Sequence, residues 1–191
     1  MSHALQVADA VPHLLEVLIE TPRGSRNKYA LDPRSGVLKL RKVLPVGMSF
    51  PFDFGCVPGT RAEDGDPLDV IVLMEDPVVA GCLVDVFLLG VMKAKQGSRG
   101  EKKQRNDRLI AAAAEASRPL EFKSMKRVTV ETLDEIERFF VTYNELLDQS
   151  FELIEIAGPR AAWKVVEAAR RNGRQPAVSA LHVPRRTVGA H

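Results

Sequence analysis

The 191 residues of the chain are enough for one sizeable domain with its own hydrophobic core. Hydrophobic residues make up 45% of the sequence, charged residues 27%, and the formal net charge is +2, which disfavours a dedicated nucleic-acid-binding protein because such proteins carry a much larger basic excess. No apolar run reaches the roughly 18 residues that a membrane-spanning helix needs, so no such helix is predicted.

The two cysteines, Cys56 and Cys82, are too few for a disulfide framework in a chain of this length. Their neighbours are apolar or small, which predicts two reduced, buried thiols. Residues 1–10 lack the basic region and following apolar stretch of a secretory signal. Together these features predict a cytoplasmic protein.

The first part of the chain predicts β-strands. Leu14–Glu20 is rich in apolar residues and ends before Pro22, which cannot donate to a sheet ladder. Asn27–Leu31 and Gly36–Val43 have the pattern of a hairpin. The turn between them, Asp32–Gly36, has Pro33 where a fixed φ is needed and Gly36 where a positive φ is needed.

Three further strands are predicted in the middle of the chain. Asp69–Leu73 and Leu83–Val91 are rich in Val, Leu and Ile, as buried strands are, and Pro77–Gly81 separates them as a loop. Leu109–Ala113 predicts one more strand, which runs into an alanine-rich segment that the pattern does not assign.

The last part of the chain predicts two helices. Thr132 and Glu135 have the spacing of a capping box at the start of the first helix. The second is predicted over Pro159–Arg171, with Gly173 beyond its end. Apolar residues spaced three and four apart mark one face of the first helix: Leu133, Ile136, Phe140, Tyr143 and Leu147.

Strands followed by helices indicate an α+β domain, with a small closed sheet flanked by C-terminal helices. We expect residues 1–174 to form this single domain. Residues 175–191 contain prolines and arginines without a helical pattern. They are predicted to be a basic C-terminal tail, either mobile or lying as an arm on a neighbouring subunit.

An acidic segment, D-G-D-P-L-D, carries the strongest chemical signal. Asp64, Asp66 and Asp69 place three carboxylates within six residues, and Gly65 allows a tight turn between the first two. Converging carboxylates repel one another unless a cation lies among them. Oxygen ligands without nearby histidine or cysteine favour Mg²⁺ or Mn²⁺ over Zn²⁺. The alternative interpretation is an acidic surface turn that leads into the next strand.

A second group of residues is cationic and belongs to the predicted hairpin and its entry. On a strand pair, Lys28 and Lys42 would project from one face beside the aspartates. Acids and bases in one site suggest metal ions that bridge a polyanion, whereas the alternative is a solvated charged face. The aromatic segment Phe50–Gly55 would either wall such a site or pack in the core. The cationic group comprises Arg23, Arg26, Lys28, Lys39, Arg41 and Lys42.

Together these segments resemble the family I soluble inorganic pyrophosphatases from about Leu14 to Ile156. The most specific match is D-G-D-P-L-D-V at Asp64–Val70, which agrees throughout with the signature of that family. The supporting matches are Glu20 followed by Pro22, Lys28-Tyr29, Ser35-Gly36, Phe50-Pro51, Phe54-Gly55, Gly81, Gly90-Val91, Phe139-Phe140 and Tyr143-Asn144.

The resemblance implies a small five-stranded, OB-like β-barrel with helices packed outside it. It implies assembly into a homo-oligomer, often a hexamer in bacteria. The implied reaction is the hydrolysis of pyrophosphate to two phosphates with several Mg²⁺ ions, for which Mn²⁺ is a possible substitute. It implies no nucleic-acid or membrane partner.

The resemblance also implies roles for individual residues. Asp64 and Asp69 would be metal ligands, and Asp66 would take the proton from the attacking water. Glu20 would act in the outer metal shell. The phosphate oxygens would be held by Lys28, Lys42 and Tyr143.

Several positions depart from the family pattern. Ala30 stands where a glutamate is common, and Lys42 where an arginine is usual, so bidentate gripping of phosphate is lost there. Phe50 and Phe54 replace tyrosines and remove two hydroxyl donors. Asn144 stands where a lysine usually contacts phosphate.

The segment 100–108 admits two alignments. In the first, Asn106 occupies a metal-ligand position and Arg108 the position of a lysine that binds substrate. A slip of one residue makes Asp107 the ligand instead. Positive charge from the same loop would compensate for the altered phosphate site, supplied by Arg99, Lys102, Lys103 and Arg105.

Three hypotheses remain at this point. The first is a working pyrophosphatase with a modified phosphate site, because the three aspartates and Lys28 are intact. The second is a catalytically weakened scaffold that binds phosphate compounds, suggested by the changes at Ala30, Phe50, Phe54 and Asn144. The third is a hydrolase of a larger phosphoanhydride, for which Ala30 would leave room.

Overall fold

The computed structural model describes residues 14–32, 35–98, 100–115 and 128–174. Over these ranges the fold is mostly β-sheet with two helices. None of the helices in these ranges is long and apolar enough to cross a membrane. The elements are β1 (Leu14–Thr21), β2 (Asn27–Leu31), β3 (Leu38–Val43), β4 (Asp53–Val57), β5 (Leu68–Leu73), β6 (Leu83–Ser98), β7 (Gln104–Arg105), β8 (Arg108–Ala113), α1 (Val130–Glu145), β9 (Gln149–Ala157) and α2 (Pro159–Arg174).

Five strands form a ring in the order β1-β4-β5-β8-β6, and β6 pairs again with β1. The pairing of β5 with β8 is parallel and the others are antiparallel. The far half of β6 continues beyond the ring and pairs with β7 and β9. Strands β2 and β3 form a separate antiparallel hairpin.

Alternate residues of the ring strands belong to two hydrophobic clusters. In β5, Val70 and Val72 pack in the cluster that includes α2, whereas Ile71 and Leu73 pack in the cluster that includes α1. Successive side chains of a strand point to opposite faces. The two faces of the ring strands therefore pack in different clusters, one with residues of α2 and the other with residues of α1, which explains why these strands are apolar at nearly every position.

The predicted strands are confirmed, most of them with small changes in their ends. The largest change is in β6, which continues to Ser98 beyond its predicted end at Val91. The second strand of the hairpin begins at Leu38 and not at Gly36. Gly36 has a φ of +68° and its N–H donates to the carbonyl of Asp32, so it belongs to the turn. Pro33 lies outside the described residues.

Three strands were missed by the sequence reasoning. No strand is predicted in the aromatic segment Phe50–Gly55, but β4 begins at Asp53, and all residues of β4 are buried between β1 and β5. The pairings of β7 and β9 with the far half of β6 were also missed.

The predicted capping box of α1 is wrong. The helix begins at Val130, and its N-cap is Thr129, whose hydroxyl accepts a hydrogen bond of 3.2 Å from the N–H of Thr132. Thr132 is therefore inside the first turn, and Glu135 follows one turn too late to complete a box with the true cap.

The predicted end of α2 is also wrong, since the helix continues to Arg174 and includes Gly173. A Cβ atom added at Gly173 would lie 2.4 Å from the carbonyl oxygen of Gly59. Gly173 is thus a point of close approach between the helix and the loop after β4, and not a helix terminator. The predicted tail, residues 175–191, lies outside the described residues.

Replacement of Gly173 by alanine is expected to destabilise the fold. Alanine in a helix interior is favoured over glycine by about 1 kcal/mol. The clash with a backbone oxygen should exceed this gain, because overpacking costs about 1–3 kcal/mol. We expect a net loss of up to about 2 kcal/mol in the free energy of unfolding, measured with urea. An added Cβ at Gly158 meets no atom within 4 Å, so Gly158→Ala is the control for adding a methyl group without a clash. A Gly173→Ala variant as stable as the native chain would contradict the prediction.

Candidate active site

A half-open cavity of about 550 Å³ lies where the ring strands, the β2–β3 hairpin and α1 meet. Acidic and basic side chains from distant parts of the sequence share its walls. The lining residues are Glu20, Lys28, Ala30, Leu31, Arg41, Lys42, Phe54, Cys56, Asp64, Asp66, Pro67, Asp69, Gln96, Asn106 and Tyr143.

The three aspartates line this cavity. Asp64 and Asp66 belong to the turn before β5, where Gly65 has a φ of +93° that favours glycine. The N–H of Asp66 donates to the carboxylate of Asp64 over 3.1 Å. Asp69 is the second residue of β5, and its side chain is 25% exposed. The acidic turn is therefore part of a cavity shared with cations.

Burial raises the pKa of both Asp64 and Asp69 above the ordinary range of an aspartate. The nearby carboxylates raise both values further, whereas Arg108 lowers both and Lys28 also lowers that of Asp69. Negative charge thus accumulates at this wall at an electrostatic cost, which a bound cation would relieve.

Glu20 lies at the end of β1 and is only 5% exposed. One of its carboxylate oxygens accepts a hydrogen bond of 2.7 Å from the N–H of Leu31, which ties the ring to the hairpin. Burial raises the pKa of this carboxyl group, although the hydrogen bond from Leu31 opposes the shift.

Cys56 is buried in β4 beside Glu20, and burial and this carboxylate raise the pKa of its thiol. Both cysteines are free, as the sequence predicts. The prediction that both are buried is wrong for Cys82, which is partly exposed next to Leu83 at the start of β6.

The basic wall comes from the hairpin. Lys28 and Lys42 are cross-strand partners, and both line the cavity together with Arg41. The ammonium of Lys28 lies 5.5 Å from the ring centroid of Phe54 and 5.6 Å from that of Tyr143. These two rings restrict the position of the ammonium group by cation–π contact.

The other cations of the hairpin region are engaged elsewhere. The guanidinium of Arg23 donates to the carbonyls of Met74 and Glu75. That of Arg26 donates to the carbonyl of Leu44, and Lys39 forms an ion pair with Asp32. Three of the six cations therefore line the cavity and three do not.

The segment before β8 places only one of the two alternative ligands on the cavity. Asn106 lines it, whereas Asp107 does not. The carboxylate of Asp107 accepts a hydrogen bond from the N–H of Ala94 and forms an ion pair with Arg105. Lys103 is paired with Glu152.

The expected compensation by this loop is therefore wrong for Arg105 and Lys103, which are paired away from the cavity. Lys102 also does not line the cavity, and Arg99 lies outside the described residues.

Arg108 lies behind the cavity and does not line it. It is 3% exposed, and its guanidinium is 4.2 Å from the ring centroid of Phe140. Its Nη1 donates to the carbonyl of Asn106 over 3.0 Å and its Nη2 to Oε1 of Gln96 over 2.9 Å. Its Nε lies 4.0 Å from a carboxylate oxygen of Asp69. The structure thus separates Arg108 from the predicted phosphate-holding residues.

Different residues of the aromatic segment Phe50–Gly55 line the cavity and pack in the core. Phe54 lines the cavity, whereas Phe50 is buried and packs against Phe139 and Tyr143 of α1. Asn144 is 1% exposed and its amide donates to the carbonyl of Phe140 within the same helix. Asn144 is therefore buried within the protein and does not line the cavity.

Sequence reasoning missed Gln96 as a cavity residue and did not select Arg41 or Cys56 for the site. The far half of β6 carries Gln96 to the cavity, and this extension was not predicted. Arg41 was recognised only as a member of a charged group, and its neighbour Lys42 was chosen in its place. Nothing in the local sequence separates Arg41 from the cations that lie elsewhere.

The donor atoms of the acidic wall are carboxylate and amide oxygens. Among the described residues, no three His, Cys, Asp or Glu side chains converge closely enough to hold a metal ion by themselves. Mg²⁺ is usually held by one or two carboxylates and keeps several waters. The residues present therefore fit a hydrated, oxygen-liganded cation better than a fully protein-enclosed one.

Comparison with known proteins gives a consistent result. The sequence model of the family described as inorganic pyrophosphatase matches residues 17–173. An inorganic pyrophosphatase from Thermus thermophilus is 35% identical over 167 residues, which cover 87% of this chain and 93% of that relative. A soluble inorganic pyrophosphatase from rice, Oryza sativa subsp. indica, is 36% identical over 143 residues, or 75% of this chain and 64% of the longer plant protein.

The similarity extends to three-dimensional structure. A crystal structure of the inorganic pyrophosphatase from Thermus thermophilus superposes with a TM-score of 0.78 and 33% sequence identity. The match covers 90% of this chain and 98% of that structure.

Proposed function

Because the chain belongs to the inorganic pyrophosphatase family, we propose that it hydrolyses inorganic pyrophosphate to two phosphates. The observation that carries the proposal is the pairing of opposite charges across one cavity. Asp64, Asp66 and Asp69 line it together with Lys28 and Lys42. A phosphoanhydride bridged by cations needs both walls.

We propose Mg²⁺ as the cofactor, with Mn²⁺ as a substitute. Asp64 and Asp69 would be the carboxylate ligands, and Asn106 is favoured over Asp107 as a further ligand because only Asn106 lines the cavity. Glu20 would act in the outer shell. When bound, the cation supplies a lower pKa for water and neutralises phosphate charge.

The remaining roles in the proposed reaction belong to residues of this chain. Asp66 is the proposed general base. Among the described residues, no group donates a hydrogen bond to its carboxylate, so its oxygens are available to accept the proton. Lys28, Lys42 and Tyr143 would hold the phosphate oxygens, and the positive charge of the lysines would stabilise the leaving phosphate. Arg108, behind the cavity, would act indirectly.

Four expectations about the whole protein accompany the proposal. The five-stranded ring would be a small closed barrel of the OB-like kind, supported by the pairing of each ring strand with two others. Residues 1–174 would form one domain with a basic tail after it. The protein would assemble as a homo-oligomer, with a hexamer favoured, and function in phosphate metabolism in the cytoplasm. Light scattering on the purified protein checks the subunit number.

The proposed function is tested by release of phosphate from pyrophosphate with and without Mg²⁺. We expect turnover that depends on Mg²⁺ and is lost when a chelator is added. Absence of turnover from folded protein with any divalent cation would contradict it and leave the phosphate-binding scaffold as the explanation.

A larger phosphoanhydride is a second candidate substrate, favoured by the position of Ala30. Ala30 lines the cavity, where a longer side chain would fill part of the space. Turnover of tripolyphosphate and of a nucleoside triphosphate is compared with that of pyrophosphate under the same conditions. Faster turnover of either longer compound would support this candidate.

A further inference from the structure

Gln96 is a neutral polar side chain on a cavity that acidic and basic side chains also line. It lies in the far half of β6, opposite Gln104 of β7, and was not selected by sequence reasoning. Its amide offers one acceptor oxygen and a nitrogen with two donor hydrogens. Which end faces the cavity decides whether it meets a cation or an anion.

Arg108 fixes the orientation of this amide. The Nη2 atom of Arg108 lies 2.9 Å from Oε1 of Gln96. A guanidinium group has only donors, so the amide atom that it contacts must be the oxygen, and the opposite assignment would place two donors against each other. The amide orientation therefore follows from chemistry.

Arg108 is itself held tightly in place. It is 3% exposed, packs over Phe140 and Phe151, and donates to the carbonyl of Asn106. Since Arg108 lies behind the cavity, the oxygen of Gln96 is directed to the buried side. Within the described part of the chain, the Nε2 atom of Gln96 donates no hydrogen bond.

We infer that Gln96 binds substrate, its amide nitrogen donating a hydrogen bond to a phosphate oxygen, and that Arg108 is the positioning residue that directs it. The inference rests on the proposed function and adds a substrate-binding residue to it. The Gln96 oxygen is then unavailable to a cation, because it accepts from Arg108. Arg108 thus contributes to phosphate binding without touching the phosphate.

The inference is tested by calorimetry, which measures the binding of methylenediphosphonate at a fixed Mg²⁺ concentration. This compound is a pyrophosphate analogue that resists hydrolysis. Gln96→Met removes the donor without adding charge and should weaken binding about 10- to 100-fold, the range for a hydrogen bond to a charged group. Gln104→Met makes the same change on the adjacent strand, outside the cavity, and should bind within about twofold of the native chain. A Gln96→Met variant that binds as tightly as this control would overturn the inference.

Gln96→Glu keeps an acceptor for Arg108 and replaces the amide donor with a negative charge. Comparison with Gln96→Met therefore separates loss of the hydrogen bond to phosphate from electrostatic repulsion of phosphate. Both Gln96 variants should bind weakly. If Gln96→Glu binds the analogue weakly and Gln96→Met binds it tightly, the negative charge and not the lost hydrogen bond weakens binding. If Gln96→Glu binds the analogue tightly, the side-chain oxygen of residue 96 is a ligand of a cation. Either result overturns the inference.

A measurement on the native chain covers the case in which Gln96→Met fails to fold. The side-chain amide resonance of Gln96, assigned by its loss in Gln96→Glu, should shift downfield when the analogue is added. An unchanged resonance at saturating analogue overturns the inference.

The positioning role of Arg108 is tested by a double-mutant cycle. Arg108→Lys keeps the charge near Asp69 but cannot hold Gln96 and Asn106 together. When Gln96 is present, Arg108→Lys should weaken analogue binding. In the Gln96→Met background, the same change should weaken binding by less than a further factor of about two. Equal effects in both backgrounds would assign Arg108 a purely structural role. Native chain that neither binds the analogue nor releases phosphate would instead refute the proposed function itself.

Discussion

Replacement of Asp66 by asparagine is expected to lower kcat for pyrophosphate about 10²- to 10⁴-fold, the range for loss of a general base. Asparagine has the same shape but accepts no proton at neutral pH. The backbone N–H of residue 66 would still donate to Asp64, so the turn should keep its conformation. Because the lysines are unchanged, KM should remain within about threefold of the native value.

The matched control is Asp85→Asn. Asp85 is exposed in β6 and does not line the cavity, so the same chemical change should leave both kinetic constants near the native values. Steady-state phosphate release with saturating Mg²⁺ gives both constants. A kcat for Asp66→Asn within tenfold of the native value would show that another group takes the proton.

The ring of strands was predictable where each strand has a pattern of its own. Leu14–Glu20 and Leu109–Ala113 are rich in apolar residues, and the structure confirms both as strands. Asp53–Val57 was hidden because it lies between two other strands and is buried on both faces, which removes the alternation that marks a half-buried strand. In Gln149–Ala157 the alternation of apolar and polar residues is interrupted at Ile154, where the register with β6 shifts, so the sequence lacks the regular period of a strand.

The site was predictable in its acidic part because three aspartates within six residues share one turn and one strand end. The position of Gln96 depends instead on the register between β6 and β8, since Arg108 of β8 pairs with Met92 and its side chain reaches four residues further along β6. Such a contact between strands leaves no local signal. The choice between Asn106 and Asp107 likewise depends on the length of the preceding loop.

Replacement of Gly55 by alanine is expected to cause the largest loss of stability of any change considered for this chain. Gly55 lies in β4 opposite Ile19 of β1, and an added Cβ atom would be 2.1 Å from the carbonyl oxygen of Leu18. Backbone atoms on both strands of the ring must then separate. The cost should reach or exceed the upper end of the 1–3 kcal/mol that is usual for overpacking, so we expect about 3 kcal/mol or more.

The position of Gly55 connects this loss of stability to function. Strand β1 ends at Glu20 and Thr21, and β4 carries Phe54 and Cys56, so separation of the two strands displaces cavity residues on both sides. Gly55→Ala should therefore lower phosphate release even at temperatures where it remains folded. Urea unfolding should show a lower midpoint with an unchanged slope.

Gly158→Ala provides the comparison, because the added methyl group meets no atom within 4 Å. Its only cost is a poorer residue before α2, about 1 kcal/mol at most. Equal midpoints for the two variants would mean that β1 and β4 can separate freely, and the ring could not then be the rigid support that holds Glu20 beside the aspartates. A large difference, with activity lost only in Gly55→Ala, would tie the geometry of the site to this one close contact between strands.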